Sequence, residues 1–162
     1  MTINQSGIVL EPGQGSTCWV IRDLYTFKAV AEETGGTYGL IEIIMQPQGG
    51  APPHVHSHEN EAFYIQEGEV EFKLGEQTIV ATAGMFLHSP KGQNHGFTNK
   101  GIKPAKMLCW VTPAGLEKFF MEVGKPVDAS SSEPPEVTPA DIENLVITAQ
   151  KYGLEILPPP TA

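Results

Sequence analysis

Three of the five histidines lie in one short stretch, Pro53-His54-Val55-His56-Ser57-His58-Glu59-Asn60-Glu61. Side chains two residues apart in an extended segment lie on the same face, so His54 and His56 point the same way and Val55 points the opposite way. Glu61 begins the next predicted strand after a short bend, and its carboxylate can return to the same point. A fourth candidate ligand, His95, begins a later predicted strand.

Three imidazoles and one carboxylate are a donor set for a transition metal. The set suits Fe, Mn, Ni, Co, Cu or Zn and is too rich in nitrogen for Mg or Ca. The pattern therefore predicts one divalent transition metal ion of open identity. His58 has the same parity as the pair but lies in the bend, so we expect it to face solvent or to support a ligand. His88, two residues before Pro90, is expected to face outward or to lie at an interface.

Short strands alternate with Gly- and Pro-containing turns along most of the chain, which has 17 Gly and 14 Pro. The predicted strands cover residues 17–21, 25–30, 38–46, 61–65, 69–74, 77–82, 84–89, 95–99 and 105–112. Residues 48–53 are predicted to be a loop, because proline cannot donate to the ladder of a central strand. Many short strands with turns every 8–12 residues are typical of an antiparallel sandwich or barrel.

Period-two alternation predicts which side chains face the interior of this barrel. Within residues 38–46 the inward set is Ile41, Ile43 and Met45, and within residues 69–74 it is Val70, Phe72 and Leu74. The residues expected to line a substrate pocket around the metal are Met45, Phe63, Phe72 and Phe97. Phe63 and Phe97 could equally be plain core packing.

The pattern changes after residue 112. Thr112 and Pro113 are predicted to begin a helix with an apolar face of Leu116, Phe119, Phe120 and Val123. Residues 125–137 are rich in Ser and Pro and predict a flexible linker. Thr138 is expected to cap a second helix whose apolar face is Ile142, Leu145, Val146 and Ala149, and residues 154–157 are expected to be extended. We therefore expect a barrel over residues 1–112 and, over residues 113–162, an extension too small for a core of its own.

A chain with a net charge of −9 is not expected to have the basic surface that binds phosphate backbones or anionic lipid. Nucleic-acid and membrane partners are therefore not expected. No apolar run reaches the length of a transmembrane helix, and the N-terminus has no basic start followed by an apolar stretch. The two cysteines, Cys18 and Cys109, are far apart in sequence and exclude a zinc finger. Reduced thiols of this kind are typical of a cytoplasmic protein.

The two histidine segments resemble the two sequence motifs of the cupin superfamily. In the first motif His-x-His is followed at set spacing by Glu and Gly, as in His54-Val55-His56, Glu61 and Gly68. The residues that match the second motif are Gly84, Pro90, Gly92, His95 and Asn99. The glycine expected before the first histidine falls at Gln48, with Gly49 and Gly50 following, so we expect the loop there to be shifted by one residue.

This resemblance covers roughly residues 25–112 and implies an all-β fold, the cupin double-stranded β-helix (jelly-roll) barrel, here with a short C-terminal helical extension. It implies His54, His56, Glu61 and His95 as metal ligands. The extension is similar to that of small single-domain, quercetin-dioxygenase-like cupins, which implies a metal-dependent dioxygenase with a small enolic or phenolic, possibly flavonol, substrate. Glu61 would then be the catalytic base.

Two other functions stay open at this point. One is a non-catalytic cupin that binds or senses a small ligand, and the other is a metal-dependent isomerase, which the lack of a second acid or base besides His58 disfavours. The resemblance also implies a homodimer, with the apolar residues 105–111 and the helix at Leu116–Val123 as possible contacts.

Overall fold

The computed structural model describes residues 7–128 and 133–158. Within these ranges the chain forms strands and short helices. In chain order they are β1 (Ser16–Val20), β2 (Asp23–Ala29), α1 (Ala31–Thr34), β3 (Gly39–Met45), β4 (Gly50–His56), β5 (Asn60–Glu67), β6 (Glu69–Leu74), β7 (Gln77–Thr82), β8 (Phe86–Ser89), β9 (His95–Thr98), β10 (Ala105–Thr112), α2 (Leu116–Val123), β11 (Lys125–Pro126), α3 (Pro139–Lys151) and β12 (Leu154–Ile156).

The strands form two antiparallel sheets whose inner faces share one core. The first sheet has the strand order β11-β1-β2-β3-β10-β5-β8, and the second has the order β12-β4-β9-β6-β7. This is the jelly-roll arrangement expected from the sequence. No helix of the described residues is long and apolar enough to cross a bilayer.

The core confirms the predicted alternation. Ile41, Ile43 and Met45 are at most 1% exposed, and Val70 and Phe72 are fully buried between the sheets. Burying apolar side chains of this size stabilises a fold by roughly 1.5–3 kcal/mol each. The inner face is therefore densely apolar, and the polar side chains buried among it stand out as a site.

The predicted loop over residues 48–53 is wrong from Gly50 onward, because Pro52 and Pro53 lie inside β4. This strand is not at a sheet edge, since it lies between β12 and β9. The register with β9 shifts between Ala51 and His54, so the two prolines occupy an irregular part of the ladder. Proline is tolerated in a strand at such a bulge because no regular ladder hydrogen bond is lost there.

The one-residue shift expected in the loop before β4 stays a prediction, but the backbone of this loop is unusual at Gln48. Gln48 itself has φ +63°, in the left-handed region that favours glycine. It is exposed, its amide N–H donates to the Asn99 carbonyl, and the amide of Asn99 donates to Gly49. Gln48 thus takes a left-handed conformation at the usual cost of a Cβ in that region.

We expect Gln48→Gly to raise the free energy of unfolding by about 0.5–1 kcal/mol, because it relieves this left-handed strain. Denaturant unfolding measures the change. Gln77→Gly is the matched control: it replaces an exposed glutamine with φ below zero at the start of β7 and should lower stability by about the same amount. Equal losses in both variants would contradict the strain argument.

The first C-terminal helix begins later than predicted. Thr112 pairs with Asn60 as the last residue of β10, so its backbone is extended and it does not cap a helix. The helix α2 begins at Leu116, after Gly115, whose N–H donates to the buried carboxylate of Glu117 at 2.9 Å. The same carboxylate accepts the N–H of Ala31 at 2.7 Å and ties α2 to α1.

The rest of the extension pairs with both sheets through two short strands. Lys125 and Pro126 form β11 beside β1, so the predicted linker does not begin at Lys125. Residues 129–132 of that linker lie outside the described residues. The α3 cap is confirmed: Thr138 accepts the N–H of Asp141, whose carboxylate accepts the N–H of Thr138 at 2.8 Å. The predicted extended segment is β12, and it pairs with β4.

Candidate metal centre

The four predicted ligands come from three strands that face each other across the barrel. His54 and His56 lie two residues apart on β4, and His95 begins β9, where it is the register partner of His54. Glu61 lies on β5 in the opposite sheet. All four side chains are at most 8% exposed, so the candidate site lies between the two sheets.

The ligand atoms of these residues converge on one point. One such atom from each of the four side chains lies within 4.8 Å of all the others. The Nε2 atoms of His54 and His56 are 3.0 Å apart. The Glu61 Oε2 atom is 2.7 Å from Nε2 of His95 and 3.1 Å from Nε2 of His56. The lone pairs of three imidazole nitrogens and one carboxylate oxygen can therefore be directed at a single metal ion.

Each histidine is oriented through its other ring nitrogen. His54 Nδ1 donates to the Pro52 carbonyl oxygen at 2.7 Å, and His95 Nδ1 donates to the Gln93 carbonyl oxygen at 3.1 Å. Ser89 Oγ also lies 2.9 Å from His95 Nδ1. His56 Nδ1 lies 3.4 Å from Glu59 Oε2. A hydrogen-bonded Nδ1–H leaves Nε2 free to bind a metal, which is how metal-ligating histidines are generally held.

Two supporting residues were not predicted. Glu59 is 6% exposed and holds His56, and its spacing of three from that histidine is the signal in the sequence. Cys109 on β10 is fully buried, and its thiol donates to Glu61 Oε1 at 3.0 Å. No local pattern links Cys109 to Glu61, because their strands only meet in the sheet. The Cys109 contact leaves Glu61 with one oxygen, Oε2, directed at the cluster.

The cluster has a defined charge pattern. Burial, followed by the positive charge of His95, lowers the pKa of His54 to about 4. Burial would also lower the pKa of His56, but hydrogen bonds to Glu59 and Glu61 outweigh burial and raise it to about 9. Burial would raise the pKa of Glu61, yet the hydrogen bonds from His56 and His95 hold it well below its usual value. The hydrogen bonds from His56 and His95 therefore favour the carboxylate form of Glu61.

A cavity of about 560 Å³ opens directly onto this cluster. His54, His56 and Glu61 form part of its wall. Of the four predicted pocket residues only Phe97 lines the cavity. Met45, Phe63 and Phe72 are fully buried and pack in the core, because their inward side chains are covered by the opposite sheet.

Much of the remaining wall comes from the C-terminal extension. The extension contributes apolar side chains from α2, α3 and the segment around β12; these are Phe119, Phe120, Ile142, Leu145, Val146, Leu154, Ile156, Leu157 and Pro158. The N-terminal part of the first sheet adds Val20, Ile21 and Tyr25. The extension is therefore part of the pocket. No pattern in the sequence indicated this role, because helical periodicity shows an apolar face but not which surface that face covers.

The other polar residues singled out in the sequence have structural places. His58 and His88 are exposed, and His58 lies against Gly153. The Asn99 side chain donates to the carbonyl oxygens of Met45 at 3.1 Å and Lys103 at 2.8 Å. It also accepts the N–H of Gly101 at 2.9 Å, so Asn99 holds a turn together.

Sequence comparison gives a family match at the centre of the chain. Residues 41–111 match the family model for the cupin domain. A polyketide synthase named CurC from Streptomyces cyaneus is 32% identical over 100 residues, which is 62% of this chain and 64% of that protein. The match thus spans less than two thirds of the relative's length.

Solved structures share the fold at low sequence identity. A predicted oxalate decarboxylase from Thermotoga maritima gives a TM-score of 0.62 at 17% identity and covers 65% of this chain and 99% of that one. KdgF from Halomonas sp. gives a TM-score of 0.62 at 13% identity and covers 70% of this chain and 99% of that one. An RmlC-like cupin from Shewanella frigidimarina gives a TM-score of 0.61 at 16% identity and covers 72% of this chain and 99% of that one. Residues 41–111 are therefore similar to the cupin domain, and the solved structures share the two-sheet barrel fold of this chain.

Proposed function

We propose that this protein is a metal-dependent dioxygenase that acts on a flat, largely apolar substrate carrying an enol or phenol oxygen. The observation that carries the proposal is the juxtaposition of a His/Glu cluster with a cavity of about 560 Å³ whose wall is otherwise almost entirely apolar. Such a cavity buries the body of an organic ligand while a few polar groups orient its reactive end.

The lining argues for one substrate class over others. Among the described residues, no lysine or arginine side chain lines this cavity. Beyond the metal itself, a small dianion such as oxalate, or a sugar phosphate, would find no cationic side chain there for its remaining charge, and burying an unpaired charge is costly. An enol or phenol on an apolar scaffold fits better. The name of the Streptomyces cyaneus relative points the same way, since polyketides carry such oxygens on carbon frameworks.

The residues present fit a transition metal. Three imidazoles direct Nε2 at one point and one carboxylate directs a single oxygen there, which is a nitrogen-rich set suited to Fe, Mn, Ni, Co, Cu or Zn. When bound, the metal would supply Lewis acidity toward the substrate oxygen and a place for O₂. His54, His56, Glu61 and His95 would hold it.

The chain's own residues would do the remaining work. The apolar walls would orient the flat substrate and exclude water. Glu61 is held as a carboxylate and would accept the enol or phenol proton on one of its oxygens. Both atoms of O₂ would enter the product as a carbon–carbon bond is cleaved, so the substrate supplies the electrons and no further reductant is needed.

Oxygen uptake tests this proposal. The protein is loaded anaerobically with Fe, Mn, Ni, Co and Cu in turn and mixed with enols and phenols that include quercetin. Glu61→Gln should retain much of the metal but lower kcat by roughly 100-fold or more, because it removes the base. Glu76→Gln, at an exposed turn, is the matched control and should leave kcat unchanged. Full activity in Glu61→Gln would contradict the assigned role.

A non-catalytic ligand-binding cupin is the second candidate. It is favoured by the contacts of Glu61, whose Oε1 accepts from Cys109 and whose Oε2 faces two histidines, so that neither oxygen is free in this state. Tight ligand binding without oxygen uptake under every metal would support this candidate and reject the oxygenase. The homodimer and the cytoplasmic location stay predictions from the resemblance and from cysteine usage.

A further inference from the structure

We infer that the hydroxyl of Tyr25 donates a hydrogen bond to an oxygen atom of the ligand that occupies the cavity. This inference rests on the proposed function in one respect, namely that the ligand carries oxygen on a flat apolar body. The ligand would then have a second polar contact besides the metal cluster, made by a residue that the cupin motifs do not include.

Tyr25 is placed at the cavity by the first sheet. It lies in the middle of β2, between Cys18 of β1 and Ile43 of β3. The residue is 4% exposed, and it lines the same cavity as His54 and Glu61. Its phenol is therefore a polar group on the inner face of the barrel, within the compartment that holds the candidate metal centre.

The Tyr25 hydroxyl has no hydrogen-bond partner within residues 7–128 and 133–158. Among the described residues, Gln66 Oε1 is the one side-chain atom that lacks both a hydrogen-bond partner and contact with solvent. The Tyr25 hydroxyl is therefore accessible to solvent. The oxygen of Tyr25 is thus reached from the cavity. A ligand that displaced water from this hydroxyl without offering an acceptor would leave it unpaired, at a cost of about 1–3 kcal/mol.

The ring of Tyr25 is held in place by the C-terminal extension. Phe120 of α2 packs on it with ring centroids 4.7 Å apart and an interplanar angle of 46°. Phe119 packs in turn on Phe120 at 5.2 Å. A ring held on its face by another ring presents its hydroxyl in a defined direction, which is what a positioned hydrogen-bond donor requires.

The electrostatic surroundings keep this hydroxyl protonated. Burial raises the pKa of Tyr25 well above its usual value, and the nearby carboxylates of Asp23 and Glu61 act in the same direction. Tyr25 is therefore a neutral donor close to the carboxylates of Asp23 and Glu61. A ligand oxygen, especially one that carries negative charge, would be the complementary acceptor.

The experiment compares two probes of similar shape. 3-Hydroxyflavone carries an enol hydroxyl and a carbonyl, whereas 2-phenylnaphthalene has a similar outline and no oxygen. Both are titrated by fluorescence against protein loaded with zinc, which is redox-inert and does not consume the probe. Tyr25→Phe keeps the ring and its packing on Phe120, so it removes only the hydroxyl. Tyr64→Phe, at an exposed tyrosine of β5, is the matched control.

We expect Tyr25→Phe to weaken 3-hydroxyflavone binding by about tenfold and to leave 2-phenylnaphthalene binding unchanged. Tyr64→Phe should change neither. Equal affinity of Tyr25→Phe and the unaltered protein for 3-hydroxyflavone would overturn the inference, as would an equal loss for both probes, which would show a packing role only. If the unaltered protein bound neither probe, both the inference and the proposed substrate class would be wrong.

This test is independent of the reaction. Loss of 3-hydroxyflavone affinity in Tyr25→Phe would support the inference even if no metal gave oxygen uptake, so failure of the dioxygenase proposal and failure of the Tyr25 inference can be told apart.

Discussion

Replacing His56 with alanine is expected to remove the protein's high-affinity metal binding. Four-ligand sites gain roughly 10–16 kcal/mol on binding zinc, so one ligand contributes roughly 3–4 kcal/mol. The dissociation constant should then rise by on the order of several hundred-fold. The loss of metal affinity should be large because His56 contacts both Glu61 and Glu59. Without His56, the Glu61 carboxylate also loses one of the contacts that orient it toward the other ligands.

Competition with a chromophoric chelator measures this affinity with Zn or Co. His58→Ala and His88→Ala are the matched controls, because both histidines are exposed and neither belongs to the cluster. They should bind metal as the unaltered protein does. Comparable metal loss in His58→Ala would mean that the assigned ligand set is wrong.

Replacing Gly50 with alanine is expected to cost at least about 3–5 kcal/mol of unfolding free energy. Gly50 begins β4 with φ +135°, a conformation that L residues rarely adopt. An added Cβ would lie 2.1 Å from the carbonyl oxygen of Phe97 and 2.9 Å from Cα of Thr98. Both are backbone atoms of the adjoining β9, so β4 and β9 would have to separate. These strands carry His54, His56 and His95, and metal affinity should fall with stability.

Gly92→Ala separates the steric cost from the dihedral cost. Gly92 also has positive φ, +83°, but an added Cβ there would meet nothing within 4 Å. Its replacement should cost only about 1–2 kcal/mol, the price of the left-handed backbone alone. Urea unfolding of both variants gives the comparison. Equal losses would show that the contact with Phe97 is not what makes Gly50 necessary.

The strands and the convergence of the four candidate ligands could be predicted from sequence because both depend on local geometry. Alternation with period two places Ile41, Ile43 and Met45 on one face whatever the partner strands are, and the structure buries them. The same rule brings His54 and His56 together. The second motif, with His95 ahead of a strand, added the remaining histidine through its resemblance to a known family.

Local rules failed where a residue's role depends on a distant partner. Proline was excluded from β4 by the hydrogen bonds of a regular ladder, but the ladder is irregular at that point. Thr112 has the signature of a helix cap, yet it continues β10 because Asn60 pairs with it across the sheet. In both places tertiary pairing outweighed the local preference.

Side-chain parity, spacing within short segments and the family resemblance together predicted the barrel, its inward faces and the His/Glu donor set. The surroundings of the candidate metal centre depend instead on tertiary contacts. β12 returns to pair with β4, α2 and α3 wall the cavity, Cys109 reaches Glu61, and Tyr25 directs an unpaired hydroxyl inward. Each of these contacts joins residues far apart in the chain, and periodicity within one segment carries no information about which distant segment covers it.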